Sequence, residues 1–169
     1  MPFPIGGLNQ HRIDLSLNPS CFTQDKTRAI DNWVKESIKS YPKKAKTILK
    51  DMALMVWEAQ GGVPLFQFSG KNNLPMSWNR PQDGETNYIR YEIGHMISKN
   101  YGGTSEVENL CYQSARCNQH IQSSLLLEEV IDAYFSNNQE VLDRVDSLKT
   151  LHQSYKWFEK KKELETLLT

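Results

Sequence analysis

No apolar run in this chain approaches the roughly 20 residues that a membrane-spanning helix needs, so no membrane partner is expected. The opening stretch MPFPIGGLNQHR has no basic segment followed by an apolar one, so a secretory leader is not expected and a cytoplasmic, intracellular setting is. Cysteine is scarce. Cys21, Cys111 and Cys117 make an odd count, which points to free thiols rather than a disulfide framework. Excess charge of either sign is lacking: 20 Lys and Arg balance 20 Asp and Glu. That argues against a protein that coats nucleic acid indiscriminately, yet permits a local basic patch, because phosphate pairing depends on where the charges lie. Internal repeats, low-complexity tracts and linkers are also missing.

What is present suits one globular domain. The 169 residues are enough to bury a core, with a hydrophobic share of 38% and a charged share of 24%. Residues 1–20, rich in Pro, Gly and Asn, read as an irregular arm. Thr23 or Asp25 can cap a helix to about Ser40, with Ala29, Ile30, Trp33, Val34, Ser37 and Ile38 on one face. Tyr41-Pro42 interrupts it. A second helix is expected over Lys43–Gln60, stopped by Gly61-Gly62. Its Lys43, Lys44, Lys46 and Lys50 read as a solvated face, with nucleic-acid contact as the lesser reading.

Val63–Gly70 reads as a short strand, Lys71–Thr86 as a loop and Tyr88–His95 as a strand. Amphipathic helices are expected over Leu125–Phe135, Asn137–Leu148 and Leu151–Leu168. The run Lys160-Lys161-Lys162 reads as a solvated helix end.

The chemistry concentrates in Tyr91–Ser123. His95 ends a strand, Gly102-Gly103 makes a turn, and Asn109, Asn118 and His120 follow on a short return path. A strand, a turn, a second strand and a helix would bring His95 and Asn118 face to face. A neutral imidazole can take a proton from water. An asparagine carbonyl oxygen can ligate a hard divalent metal. Together these groups suit metal-assisted phosphodiester hydrolysis.

This segment resembles the HNH nucleases of the ββα-metal superfamily, whose pattern is Glu-Ile-Asp-His-Ile-Ile-Pro, Gly-Gly, Glu-Asn-Leu and Cys-x-x-Cys-Asn. Here the chain has Glu92-Ile93-Gly94-His95-Met96-Ile97-Ser98, Gly102-Gly103, Glu108-Asn109-Leu110 and Ser114-Ala115-Arg116-Cys117-Asn118. The likeness covers about a fifth of the chain, or a third with Val63–Gly70 included. It implies an α+β domain with a ββα-metal unit over about 64–123 and helical additions over 23–60 and 124–168. It further implies that His95 is the general base, that Asn109 braces the loop and orients the histidine, and that Asn118 binds metal from the helix. Arg90, Lys99 and Arg116 are candidate phosphate contacts.

Two departures qualify the likeness. The family's metal-binding aspartate is Gly94 here. Glu92, His120 or Gln122 can supply a ligand instead, or Asn118 can serve alone with water and phosphate, as magnesium tolerates. A related branch carries Asp-Arg-Gly-His, similar to Glu92-Ile93-Gly94-His95. An inactive descendant is the remaining reading. The family's zinc cysteines are also replaced, with Phe66 and Ser69 at the first pair and Ser114 and Cys117 at the second. One thiolate of four cannot build a structural zinc site, so folding without zinc is expected.

The resulting expectation is an endonuclease, dependent on Mg2+ or another divalent metal, that acts on DNA, with RNA as a second possible substrate. Restriction, defence, mobile-element or toxin roles all suit it. The alternatives are a catalytically inactive ββα-metal fold that binds nucleic acid or protein, and an all-helical structural protein in which the motif is accidental.

Overall fold

The computed structural model describes residues 13–14, 26–65, 67–68, 91–114 and 126–168. The elements in chain order are β1 (Ile13–Asp14), α1 (Lys26–Ser37), α2 (Lys46–Ala59), β2 (Gln67–Phe68), β3 (Tyr91–His95), β4 (Leu110–Ser114), α3 (Leu127–Val130), α4 (Gln139–His152) and α5 (Tyr155–Thr166). An antiparallel β3–β4 hairpin is thus flanked by helices from both sides of the sequence, an α+β layout with the coarse ββα character expected. The all-helical alternative is overturned by this hairpin.

Helical periodicity explains α1 and α2. Ala29, Ile30, Trp33, Val34 and Ser37 recur along one face of α1, and all are buried. Pro42 then takes an extended conformation and opens a 3-10 turn, Lys43–Ala45, that leads into α2. Leu49, Met52, Ala53, Val56 and Trp57 form the buried face of α2. It ends at Gly61 and Gly62, whose φ values of 71° and 72° lie in the left-handed region that glycine enters without a Cβ penalty.

These two helices form the bed of the hairpin. The Tyr112 ring stands edge-on to Trp57 with centroids 5.4 Å apart, and its Oη donates to the Ala53 carbonyl at 2.9 Å. A two-stranded sheet leaves unpaired edge groups that must be satisfied when buried. Buried Gln60 meets this need for β4. Tyr112 N–H donates to Gln60 Oε1 at 2.9 Å, and Gln60 Nε2 donates to the carbonyls of Tyr112 at 2.9 Å and Val63 at 3.1 Å. Leu65 N–H donates to the same Tyr112 carbonyl at 3.2 Å, so a side-chain amide and one backbone group together take the place of a third strand at this point.

The C-terminal helices close the core. Val130, Phe135, Val141, Leu148, Trp157 and Leu164 are buried with Trp33, Leu49, Met52, Leu65, Leu110 and Tyr112 in one cluster. Each large apolar side chain withdrawn from water contributes roughly 1.5–3 kcal/mol. α3 runs into a single π-helical stretch, Ile131–Phe135. The break expected between Leu148 and Leu151 falls instead at Gln153–Ser154: α4 runs on to His152, and Ser154 Oγ accepts from Trp157 N at 3.2 Å and so caps α5. Of the strand expected over Val63–Gly70, Val63–Leu65 are not strand and Gln67–Phe68 pair with Ile13–Asp14, while Phe66, Ser69 and Gly70 lie outside the described residues.

The lysine run is only partly solvated, with Lys162 exposed and Lys160 and Lys161 half-buried. It lies within α5, where Lys160 pairs with Asp51 at 3.0 Å and Lys161 with Glu108 at 2.8 Å. Trp157 Nε1 donates to the other Glu108 oxygen at 2.9 Å. α5 is therefore anchored to the residue that precedes Asn109. Among the described residues no helix is long and apolar enough to cross a membrane.

Candidate active site

His95 is the last residue of β3 and pairs with Leu110 across the hairpin. The connection between them is built from two 3-10 turns, Lys99–Tyr101 and Val107–Asn109. The two central glycines serve different ends. Gly102 has φ 82° and closes the first turn in the left-handed region. Gly103 packs so closely that a Cβ there would run into the carbonyl oxygen of Ile97.

Asn109 ties the connection together. Its Oδ1 accepts from Ile97 N–H at 2.7 Å, while Nδ2 donates to the carbonyls of Ile97 at 3.1 Å and Thr104 at 2.7 Å. Its own carbonyl accepts from Met96 N–H at 2.9 Å. Since β4 follows at Leu110, this asparagine does not cap a helix. It fixes the backbone two residues beyond His95.

Helix α1 supplies what the sequence motif did not contain. Glu36 Oε2 lies 3.5 Å from His95 Nε2 and accepts the Ser105 hydroxyl at 2.6 Å. Ser105 Oγ lies 3.4 Å from the same imidazole nitrogen. Lys39 Nζ bonds Glu36 Oε1 at 2.9 Å, and Lys99 Nζ lies 3.5 Å from Oε2. The His95 and Glu36 side chains are 14% and 17% exposed, so this contact is mostly withdrawn from solvent.

Burial raises the cost of ionising Glu36. Hydrogen bonds from Ser105 and Lys39, with the charge of Lys99, outweigh it and hold the carboxyl at about 2. His95 moves below its ordinary value. Burial is the main cause, with Lys99 and Lys39 adding to it and Glu36 opposing it. The imidazole is consequently neutral at neutral pH, the state a base requires.

The other expected site residues are distributed as follows. Lys99 opens the first 3-10 turn with its side chain 57% exposed. Glu92 lies on β3, where strand alternation sends it to the face opposite His95 and toward the side of Gly94. Arg90, Arg116, Asn118 and His120 lie outside the described residues, as do Phe66, Ser69 and Cys117. Cys111 is a buried free thiol, pushed up to about 12 by burial. Among the described residues no three His, Cys, Asp or Glu side chains gather where they could hold a metal ion.

Sequence reasoning missed Glu36 and Ser105. Ser105 stands between two motif blocks and was available to inspection. Glu36 had no local signal beyond being an acid on the flank of an apolar helix stripe. No family model matches this chain, and no curated protein or solved structure matches it either.

Proposed function

We propose that the chain is an HNH-type endonuclease that hydrolyses DNA phosphodiester bonds with the help of a divalent metal. The observation that carries this reading is the hairpin itself. A neutral histidine ends one strand, and Asn109 clamps the return loop through three side-chain hydrogen bonds to Ile97 and Thr104. A base works only if its position is fixed before reaction, and this loop supplies that rigidity.

His95 would take a proton from water. The water oxygen would form a bond to phosphorus as the bond from phosphorus to the leaving oxygen breaks, and that oxygen would collect a proton from solvent. Lys99, with Arg90 and Arg116, would hold the phosphate. Asn118, with Glu92 or His120, would hold Mg2+ or another divalent cation. Such an ion supplies Lewis-acid stabilisation of phosphate charge. The described residues offer no ligand set of their own for it, so these roles stand on residue type and likeness.

A second reading has a specific observation behind it. The place of the family's aspartate is closed at Gly94 by the Gln113 side chain, which suits a nucleic-acid- or protein-binding module that has lost catalysis. A plasmid-nicking assay with Mg2+ or Mn2+, run on wild type, His95→Ala and Asn118→Ala, separates the two, with single-stranded RNA as a parallel substrate. Metal-dependent cleavage lost in both variants supports the nuclease. Equal cleavage by all three proteins rejects the mechanism, and absence of cleavage with every metal and substrate favours the binding module.

A further inference from the structure

Ser105 has one hydroxyl proton. Its Oγ is 2.6 Å from Glu36 Oε2, a separation typical of an O–H donating to a carboxylate. Glu36 is ionised and only accepts. The hydroxyl proton is therefore committed to the carboxylate. Toward His95 Nε2, 3.4 Å away, the same oxygen can only accept. Glu36 Oε2, 3.5 Å from Nε2, is likewise an acceptor. Among the described residues, both groups beside Nε2 are acceptors and favour the tautomer that carries hydrogen there. In the neutral ring the lone pair then resides on Nδ1.

We infer that Glu36 and Ser105 form a positioning pair for His95, fixing the Nε2–H tautomer and making Nδ1 the atom that takes the proton from water. The inference rests on the reading of His95 as the base of the proposed nuclease. It adds a contribution from α1, which lies outside the hairpin. When water gives its proton to Nδ1, the ring becomes an imidazolium, and its Nε2–H still points at Ser105 and the Glu36 carboxylate. The negative charge there offsets the new positive one. The present separations are long for hydrogen bonds to Nε2, and such contacts commonly tighten when substrate binds. Among the described residues, the charged groups that face the pair are Lys39 from α1 and Lys99 from the first 3-10 turn. Both are cationic, and they keep Glu36 ionised while opposing protonation of His95.

The test has one arm that does not depend on cleavage. Nitrogen-15 imidazole spectra of the full chain report the His95 tautomer directly. The expected wild-type result is Nε2–H, with a mixture of tautomers in Ser105→Ala and in Glu36→Gln. Ser105→Thr, which keeps the hydroxyl, should retain the wild-type form. In the cleavage arm, Glu36→Gln should lower kcat roughly 10- to 100-fold with little change in KM. It should also move the acid limb of the pH–rate profile to lower pH, because the carboxylate that favours the imidazolium is gone. A merely structural role would not move that limb.

An Nδ1–H tautomer in wild type overturns the inference, as does a tautomer indifferent to both Ser105→Ala and Glu36→Gln. Cleavage that needs His95 but ignores Glu36 and Ser105 also overturns it, and leaves the nuclease reading intact. The expected tautomer pattern without cleavage supports the pair and removes the nuclease reading.

Discussion

Gln113 fills the space over Gly94. A Cβ built at Gly94 would lie 2.5 Å from Gln113 Nε2 and 2.7 Å from its Cδ. The strand register explains the closeness. Gly94 pairs with Cys111 and Glu92 pairs with Gln113, so Gln113 stands on the same face as Gly94, one residue pair away. Gly94 is thus the complement of a large neutral side chain from the opposite strand.

It follows that Gly94→Asp alone should not install a well-placed carboxylate. The added atoms would overpack the site and cost roughly 1–3 kcal/mol of stability. Gly94→Asp combined with Gln113→Ala should recover most of that loss and bind Mn2+ more tightly than wild type. Urea denaturation and calorimetric titration with Mn2+ check both points. A single variant as stable as wild type would show that Gln113 does not control the position.

Asn109→Ala removes three side-chain hydrogen bonds and leaves the Ile97 N–H and the Ile97 and Thr104 carbonyls without them. Each unmet group costs about 1–3 kcal/mol where water cannot replace the partner, and less here because the loop is partly exposed. A drop in stability of roughly 1–3 kcal/mol is expected, with loss of any cleavage activity. Asn109→Asp keeps the Oδ1 acceptor but faces two carbonyls with a carboxylate, so it should be no better than alanine. Denaturation midpoints compared across the three proteins test this.

Acid should weaken the fold in two windows. His95 and His152 both titrate below 6.5 when folded, because burial disfavours the charged ring. The unfolded chain therefore binds their protons first, and stability falls as pH drops below about 6.5. Glu36 has the opposite chemistry with the same outcome. Its folded value of about 2 lies below the ordinary 4.5, so its stabilising contribution is complete above 4.5 and lost as pH falls toward 2. Urea midpoints measured from pH 7 to pH 2 should show both declines. Glu36→Gln should flatten the lower one, and an unchanged slope there would contradict the role assigned to its carboxylate.

Much of the scaffold was legible in the residues themselves. Apolar spacing marked the buried faces of α1 and α2, and Gly61-Gly62 marked where α2 stops, because helical periodicity and left-handed turns are properties of neighbouring residues. The same locality explains why His95 could be read as a strand end and Gly102-Gly103 as the turn that follows it. Other readings failed where a distant partner intervened. The lysine run looked solvated, yet Lys160 reaches Asp51 and Lys161 reaches Glu108 across 109 and 53 residues of sequence. The break between the last two helices was expected near Leu148–Leu151, yet the Ser154 hydroxyl starts α5 a few residues further on.

The sequence by itself determined where the helices and the His95 strand lie, and which short segment carries the candidate site. Only the tertiary structure brought Glu36 to Ser105 across 69 residues and against His95. Only it set Gln113 over Gly94, and Gln60 along the edge of Tyr112. Backbone preference and hydrophobic period act over a few residues and leave a readable pattern. A polar side chain chooses its partner by position in space, and no local pattern records that choice.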